Sequence, residues 1–197
     1  MFQVSKKSIG KHIKDLREKL SDIERAAHNE AITSRLMLLP EYLQADAVLG
    51  YMNFGAEFSS ELWVAQALSE GKRVALPRVN RHTNHLDLYW VENIEEQLAQ
   101  GLWGIREPVV GRCERLAGLN EVEFALLPGV AFTREGARLG YGRGFYDKLL
   151  GNSKVCPVMA AAAYSLQIVE KIPQEATDIK IEWIITEQET VACSGRE

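Results

Sequence analysis

The residues best suited to chemistry form one stretch, 138–147, with the sequence RLGYGRGFYD. Three glycines occupy alternate positions, with an arginine before them, an arginine between them and an acid after them. Glycines at this spacing let backbone N–H groups turn to one side and form a concave site for phosphate oxygens. Arg138 and Arg143 supply planar groups for bidentate phosphate contact, and Asp147 is a hard oxygen ligand of the kind that Mg²⁺ takes beside phosphates. We therefore expect Arg138 and Asp147 to face phosphate or metal rather than the core.

The elements around this stretch suit such a site. A strand-like run, 122–127, precedes it, and the helix formers 148–150 follow it, with Gly151 as the stop. Strand, glycine loop and short helix is the arrangement that phosphate binding requires. Two plainer interpretations stay open: the glycines could form only a tight turn, and Asp147 could serve only to complement the helix dipole.

The segment 127–136 (LPGVAFTREG) and the glycine loop together resemble the signature of the 5-formyltetrahydrofolate cyclo-ligase family, also called methenyltetrahydrofolate synthetases. Weaker resemblance extends over residues 6–186. The resemblance implies that Asp147 binds Mg²⁺ and acts with Arg138 and Arg143 in catalysis. It also implies an ATP site formed by Lys6, Lys7, Gly10, Arg138, Leu139, Gly140, Tyr141, Gly142, Arg143, Gly144, Phe145 and Tyr146.

The resemblance also implies a site for a reduced folate. Glu57 lies in the loop after a predicted strand, at the strand end where open α/β sheets place ligands. It matches a folate-binding glutamate, and a carboxylate can accept the paired N–H donors of a pterin. The implied substrate contacts are Met52, Glu57, Trp103, Tyr141, Gly142, Arg143, Gly144 and Phe145. From the residues alone, Glu57 could equally be a surface acid and Trp103 a core or rim tryptophan.

Three positions depart from the family's pattern. Gly10 stands where the family has an arginine four residues after Lys6, so Lys7 or Lys11 would have to supply that charge. Thr177 replaces a histidine, and Glu182 takes the place of a later acid that helps to hold Mg²⁺. These departures leave open two alternatives: a divergent paralogue that acts on another small formamide, or a non-catalytic sensor of ATP or folate.

The hydrophobic pattern predicts alternating helices and strands. Ile9, Ile13, Leu16, Leu20 and Ile23 mark one face of a first helix, which Gly10 could fray or delay. We expect its bases, Arg17 among them, to form a solvated face or to reach a polyanion. Further predicted elements are helices at 22–39 and from Ser59 or Ser60 to Ser69, strands at 47–52, 74–76, 86–90, 155–163 and 183–185, a turn at 80–85, and a loop with a short helical turn at 111–120.

Composition bounds the class of protein. The 197 residues suit one domain, and a 46% hydrophobic and 25% charged composition is that of a globular protein. A net charge of −4 argues against nucleic-acid binding, and three cysteines without metal-site spacing indicate a reducing cytoplasm. We find neither a signal peptide nor an apolar run of membrane length. The oligomeric state stays open between a monomer and a weak dimer.

The predicted fold is one three-layer α/β/α domain over residues 1–197, with a mostly parallel sheet and helices on both faces. The reaction that the resemblance implies is ATP-dependent cyclisation of 5-formyltetrahydrofolate to 5,10-methenyltetrahydrofolate, with release of ADP and phosphate. Phosphorylation of the formyl oxygen would turn it into a leaving group. Such chemistry needs positioning and charge neutralisation rather than a protein nucleophile.

Overall fold

The computed structural model describes residues 5–175 and 178–193. Its α-helices are α1 (Lys6–Lys19), α2 (Asp22–Leu36), α3 (Pro40–Gln44), α4 (Ser60–Ser69), α5 (Ile94–Gln97) and α6 (Phe145–Gly151). Its strands are β1 (Ala47–Leu49), β2 (Arg73–Asn80), β3 (His85–Val91), β4 (Leu98–Gln100), β5 (Arg106–Pro108), β6 (Glu114–Leu116), β7 (Phe124–Leu126), β8 (Ala131–Phe132), β9 (Arg138–Leu139), β10 (Val158–Ala162), β11 (Trp183–Ile185) and β12 (Thr190–Ala192).

Eight strands form the central sheet in the order β12-β11-β10-β7-β1-β2-β3-β6. The five strands from β11 to β2 are parallel, and the strands outside them, β12 on one side and β3 and β6 on the other, are antiparallel. The predicted α/β class with a mostly parallel sheet is therefore confirmed. Two short hairpins, β4–β5 and β8–β9, lie outside this sheet.

Two details of the sheet differ from the prediction. The predicted loop at 111–120 contains the edge strand β6, which pairs with β3. The strand expected to end before Pro77 continues to Asn80, and Pro77 pairs with Leu88 of β3. Because the pairing of β1 with β2 reaches only Ala75, one side of β2 is no longer bonded to β1 at Pro77, and a residue without an N–H group is tolerated there.

Helices α2, α3 and α4 cover one face of the sheet. Tyr42, Trp63 and Phe124 are fully buried and form an aromatic cluster there, with ring centroids 5.6 to 6.3 Å apart. Helix α2 begins with a capping box, in which the Ser21 side chain accepts from the Glu24 N–H while the Glu24 side chain accepts from the Ser21 N–H. This helix ends at Leu36, three residues before the predicted end.

Helix α6 and Phe132 of the β8–β9 hairpin pack on the opposite face of the sheet, and α1 packs on the hairpin. Ile9 and Ile13 of α1 pack with Val130, Ala131 and Leu139 of the hairpin region. The helix begins at Lys6, capped by Ser5, so Gly10 does not delay it. A Cβ added at Gly10 would lie 3.8 Å from the Leu139 side chain, so the glycine brings α1 close to the β9 strand without being required there.

Candidate active site

A cavity of about 320 Å³ opens at the carboxyl ends of the parallel strands. Segments that are far apart in the sequence form its walls: the loop after β1, the β2–β3 pair, the strap 103–107 and the segment 138–147. Its lining residues are Tyr51, Met52, Phe54, Glu57, Pro77, Val79, Leu86, Trp103, Ile105, Arg106, Glu107, Pro128, Arg138, Gly140, Tyr141, Arg143, Gly144, Phe145, Tyr146 and Asp147. The structure therefore brings most of the predicted folate and phosphate residues into one cavity.

The glycine loop has the backbone that its sequence requires. Gly142 has φ of +87° and Gly144 has φ of +62°, a left-handed conformation that residues with a side chain rarely adopt. Helix α6 begins directly after Gly144, so the first N–H groups of the helix have no partner within it. The glycine loop thus leads directly into a helix start that lines the cavity.

Arg138 joins the loop to the sheet. Its Nη2 donates to Oδ1 of Asp147 at 2.7 Å, and its Nη1 donates to the carbonyl oxygen of Pro128 at 3.2 Å. The Arg138 side chain is only 3% exposed, whereas that of Asp147 is 26% exposed. Arg138 thus lines the cavity with a guanidinium that is buried and anchors Asp147, and its expected contact with phosphate stays a prediction.

Arg143 also lines the cavity, beside Trp103. Its guanidinium carbon lies 5.3 Å from the centre of the Trp103 ring, within the range of a cation–π contact. Trp103 has φ of +58°, which strains the backbone of a bulky residue, and its side chain is half exposed. The strap thus holds an aromatic ring at the cavity mouth rather than in the core.

Glu57 is a buried acid, only 7% exposed, and not the surface acid that its sequence context also allowed. Its Oε2 accepts from the backbone N–H of Phe54 at 2.7 Å. Burial raises the pKa of Glu57, while hydrogen bonding to Tyr141 and Phe54 and the charges of Arg17 and Lys14 oppose that rise. Burial beside Glu57 in turn raises the pKa of Tyr141.

Several predicted ligand residues lie elsewhere. Lys6 does not line the cavity, and its Nζ lies 3.0 Å from Glu175 Oε1 and 2.8 Å from Asp178 Oδ2. Leu139 is buried beside Gly10, and Lys7 is exposed on α1. Gly142 turns the loop without lining the cavity.

Glu182 is not brought to Asp147. Its Oε1 accepts from the N–H of Met159 at 3.2 Å, at the amino ends of β10 and β11, whereas the cavity lies at the carboxyl ends of the parallel strands. Thr177, the other departure in this region, lies outside the described residues. Asp147 is thus the only one of the two predicted metal ligands that lines the cavity.

Sequence reasoning missed the role of Arg17. The residue is 5% exposed, and its Nη2 donates to the Tyr141 hydroxyl at 3.1 Å, so it does not belong to a solvated face. The spacing held the signal, because Arg17 follows Ile9 and Ile13 at intervals of four and lies on the same face of the helix. Tyr51, buried beside Glu57, carried no comparable signal.

The surroundings of Asp147 fit an Mg²⁺ ion that is bound by one carboxylate together with substrate phosphates and water. Among residues 5–175 and 178–193, no cluster of three or more histidine, cysteine or acidic side chains could hold a metal ion. Mg²⁺ does not need such a cage, since it is commonly bound by one or two carboxylates together with substrate phosphates and water. Asp147, with one oxygen held by Arg138, could supply the carboxylate.

The fold and the cavity define an open α/β domain with a ligand site at the carboxyl ends of its parallel strands. The chain belongs to the 5-formyltetrahydrofolate cyclo-ligase family, whose model matches residues 3–187, and the predicted resemblance is confirmed. It is 30% identical over 179 residues to the 5-formyltetrahydrofolate cyclo-ligase of Haemophilus influenzae, covering 89% of this chain and 94% of the relative. It is 26% identical over 190 residues to the enzyme of Mus musculus, covering 93% and 94%.

Two solved structures share the fold. The Aquifex aeolicus 5,10-methenyltetrahydrofolate synthetase superposes with a TM-score of 0.83 at 34% identity, covering 98% of this chain and 95% of that one. The Mycoplasma pneumoniae 5,10-methenyltetrahydrofolate synthetase has a TM-score of 0.74 at 19% identity, covering 93% and 99%, which supports the fold alone. In the part of the chain that the structure describes, no helix is long and apolar enough to cross a membrane.

Proposed function

We propose that this chain converts 5-formyltetrahydrofolate to 5,10-methenyltetrahydrofolate in an ATP-dependent reaction that releases ADP and phosphate. The observation that carries the proposal is the composition of the cavity at the carboxyl ends of the parallel strands. One half has a buried carboxylate, Glu57, among aromatic and aliphatic walls, and the other half has the glycine loop with Arg138, Arg143 and Asp147. Its volume lies within the range of small-molecule sites.

The folate half suits a pterin. The Glu57 carboxylate can accept the two neighbouring N–H donors of the amino-pyrimidine edge, because a carboxylate offers two oxygens in one plane. Met52, Val79 and Leu86 provide apolar contact for the ring faces. Trp103 at the mouth would cover the bound ring, with Arg143 holding the tryptophan through the contact between guanidinium and indole.

The phosphate half suits transfer of the γ-phosphoryl group to the formyl oxygen. That oxygen is a poor leaving group until it is phosphorylated. The neighbouring folate nitrogen then bonds to the formyl carbon and releases its proton, the carbon–oxygen bond breaks, and phosphate leaves with the formyl oxygen. Catalysis of this kind depends on positioning and on neutralising charge, so the guanidinium of Arg143 and the loop N–H groups would stabilise the phosphoryl oxygens.

Mg²⁺ would supply further neutralisation of the triphosphate charge, and Asp147 would hold it. Arg138 donates to Asp147 Oδ1, so it orients the carboxylate and limits its rotation. Arg138 would thus act on the phosphate site through Asp147. Asp147→Asn keeps the shape of the side chain and removes its charge, so we expect the variant to need more Mg²⁺ for half-maximal activity.

The experiment that tests the function follows methenyltetrahydrofolate absorbance after the purified protein is mixed with 5-formyltetrahydrofolate and Mg-ATP. We expect product only with ATP present, and one ADP and one phosphate for each product formed. Absence of product with the wild-type protein would refute the cyclo-ligase activity. Product formation without ATP hydrolysis would refute the phosphorylation step.

A further inference from the structure

We propose that Arg17 and Tyr141 are positioning residues that hold Glu57 in the orientation in which it receives the folate. Arg17 does not line the cavity, yet it is 5% exposed and points at the hydroxyl of a residue that does. Tyr141 and Glu57 line the same cavity, close enough for their side chains to interact. The proposal rests on the proposed function, since it assigns a role toward the folate of that reaction.

Arg17, Tyr141 and Glu57 form a hydrogen-bond relay in which each group donates to the next, from Arg17 to Glu57. Arg17 has only donors, so its Nη2 donates a hydrogen bond to the Tyr141 hydroxyl oxygen at 3.1 Å. The O–H group of Tyr141 is then available to donate a hydrogen bond to the Glu57 carboxylate. Hydrogen bonds in such a chain polarise one another, which strengthens the last bond. The cation of α1 is thereby linked to the carboxylate in the loop after β1 through a residue of the glycine loop.

The cost of burying Arg17 indicates that it is kept for this contact. Its Nε and Nη1 are buried, and neither has a hydrogen-bond partner among the described residues. Buried polar groups without partners are costly, so a helix that needed only packing at this position would be better served by an apolar residue. Lys14 lies on the same helix with its Nζ 5.0 Å from the centre of the Tyr141 ring, which holds the ring from its face.

The relay matters because Glu57 must be ionised to accept the pterin donors. A protonated carboxyl would place a donor against donors. The groups that act electrostatically on Glu57 or are influenced by it are Arg17 and Lys14 on α1, Tyr51 in the loop after β1, Tyr141 in the glycine loop, and Tyr146 on α6. Hydrogen bonding to Tyr141 and the charge of Arg17 oppose the rise in the pKa of Glu57 that burial causes. Loss of either side chain should therefore raise that pKa further.

The first test compares Arg17→Met, Tyr141→Phe and the double variant, with Lys19→Met as an exposed control on the same helix. We expect each single variant to raise KM for 5-formyltetrahydrofolate by about tenfold, the effect of one hydrogen bond to a charged group. KM for ATP should stay within about twofold, the scatter typical of independent sites. Because the two residues act in series, Arg17→Met should have a much smaller effect when Tyr141 is already phenylalanine.

The relay is overturned if the double variant raises the folate KM by the product of the two single increases, or if the KM values for folate and ATP rise equally. A loss of thermal stability in Arg17→Met with unchanged folate KM would also overturn it.

The second test needs no substrate: the pKa of the Glu57 carboxyl is measured by ¹³C NMR, with the signal assigned by Glu57→Gln. We expect a higher pKa in both single variants and no change in Lys19→Met. An unchanged pKa would refute the relay even in an active enzyme, whereas a raised pKa in a protein without cyclo-ligase activity would refute only the function.

Discussion

Replacement of Arg138 by alanine should cost stability as well as activity, and the structure sets the size of that cost. The variant loses the hydrogen bond to Asp147, worth about 1.5–3 kcal/mol for a charged partner, and the bond to the Pro128 carbonyl, worth about 0.5–1.5 kcal/mol. Because the Asp147 side chain is 26% exposed, water can take over part of the lost contact. We expect a net loss of about 2–4 kcal/mol in the free energy of unfolding.

The assay is thermal unfolding without nucleotide or folate. For a chain of this length, each kcal/mol lowers Tm by about 2–4 °C, so Arg138→Ala should unfold roughly 4–16 °C below the wild-type protein. Arg134→Ala is the matched control, since it removes an arginine from the same hairpin region whose partner, Glu189, forms an exposed ion pair with it. We expect this control to change Tm little, because exposed pairs contribute little to stability.

A Tm for Arg138→Ala equal to that of Arg134→Ala would refute the anchoring role. Arg138→Ala in an Asp147→Ala background gives a second check, because the cost of removing the arginine should be smaller there. If the costs simply added, the bond between the two side chains would contribute nothing. Activity must then be measured well below the Tm of each variant, so that loss of folded protein is not mistaken for loss of catalysis.

Two further substitutions test the two halves of the site. Glu57→Gln should raise KM for 5-formyltetrahydrofolate and leave ATP binding unchanged by calorimetry; equal weakening of both ligands would contradict separate folate and phosphate subsites. The folded state raises the pKa of Glu57, so the wild-type protein loses the stability linked to this proton as pH rises through that pKa. Glutamine does not titrate, so Tm of Glu57→Gln relative to wild type should increase from acidic to neutral pH. Gly10→Arg should stabilise α1 by about 1 kcal/mol. It should also tighten ATP binding by up to about 10- to 150-fold if α1 approaches the triphosphate, and a stabilised variant with unchanged ATP affinity would rule that approach out.

The sequence alone predicts the parallel part of the sheet because each of its strands is a short apolar run covered on both faces. It does not predict β6, because an edge strand is half exposed and Glu114 and Arg115 make it look like a loop. Pro77 marks a limit of the same kind. A proline predicts the end of a strand only where the strands on both sides are hydrogen-bonded to it. The sequence of β2 does not show how far β1 extends beside it.

The glycine loop shows how much of a site local sequence can hold. Gly142 and Gly144 take the left-handed conformations that their residue type permits, and the segment from Arg138 to Asp147 contributes one wall of the cavity. The position of Glu57 opposite that wall depends on the sheet order, in which β7 lies beside β1. The local sequence pattern does not predict that β7 lies beside β1. The assembly of the two subsites into one cavity is therefore seen only in the folded structure.

Arg17 and Lys6 show why the residue type of a base does not predict its role. Both belong to α1, and both were grouped as bases of a solvated or anion-binding face. Helical spacing places the buried Arg17 beside the glycine loop, where its guanidinium donates to the Tyr141 hydroxyl. Lys6 lies eleven residues earlier, about 16 Å along the helix axis, and pairs with Glu175 and Asp178 instead. Because these acids already neutralise Lys6, a phosphate contact from it would first have to break both ion pairs, whereas Arg17 meets its partner in the cavity wall without rearrangement.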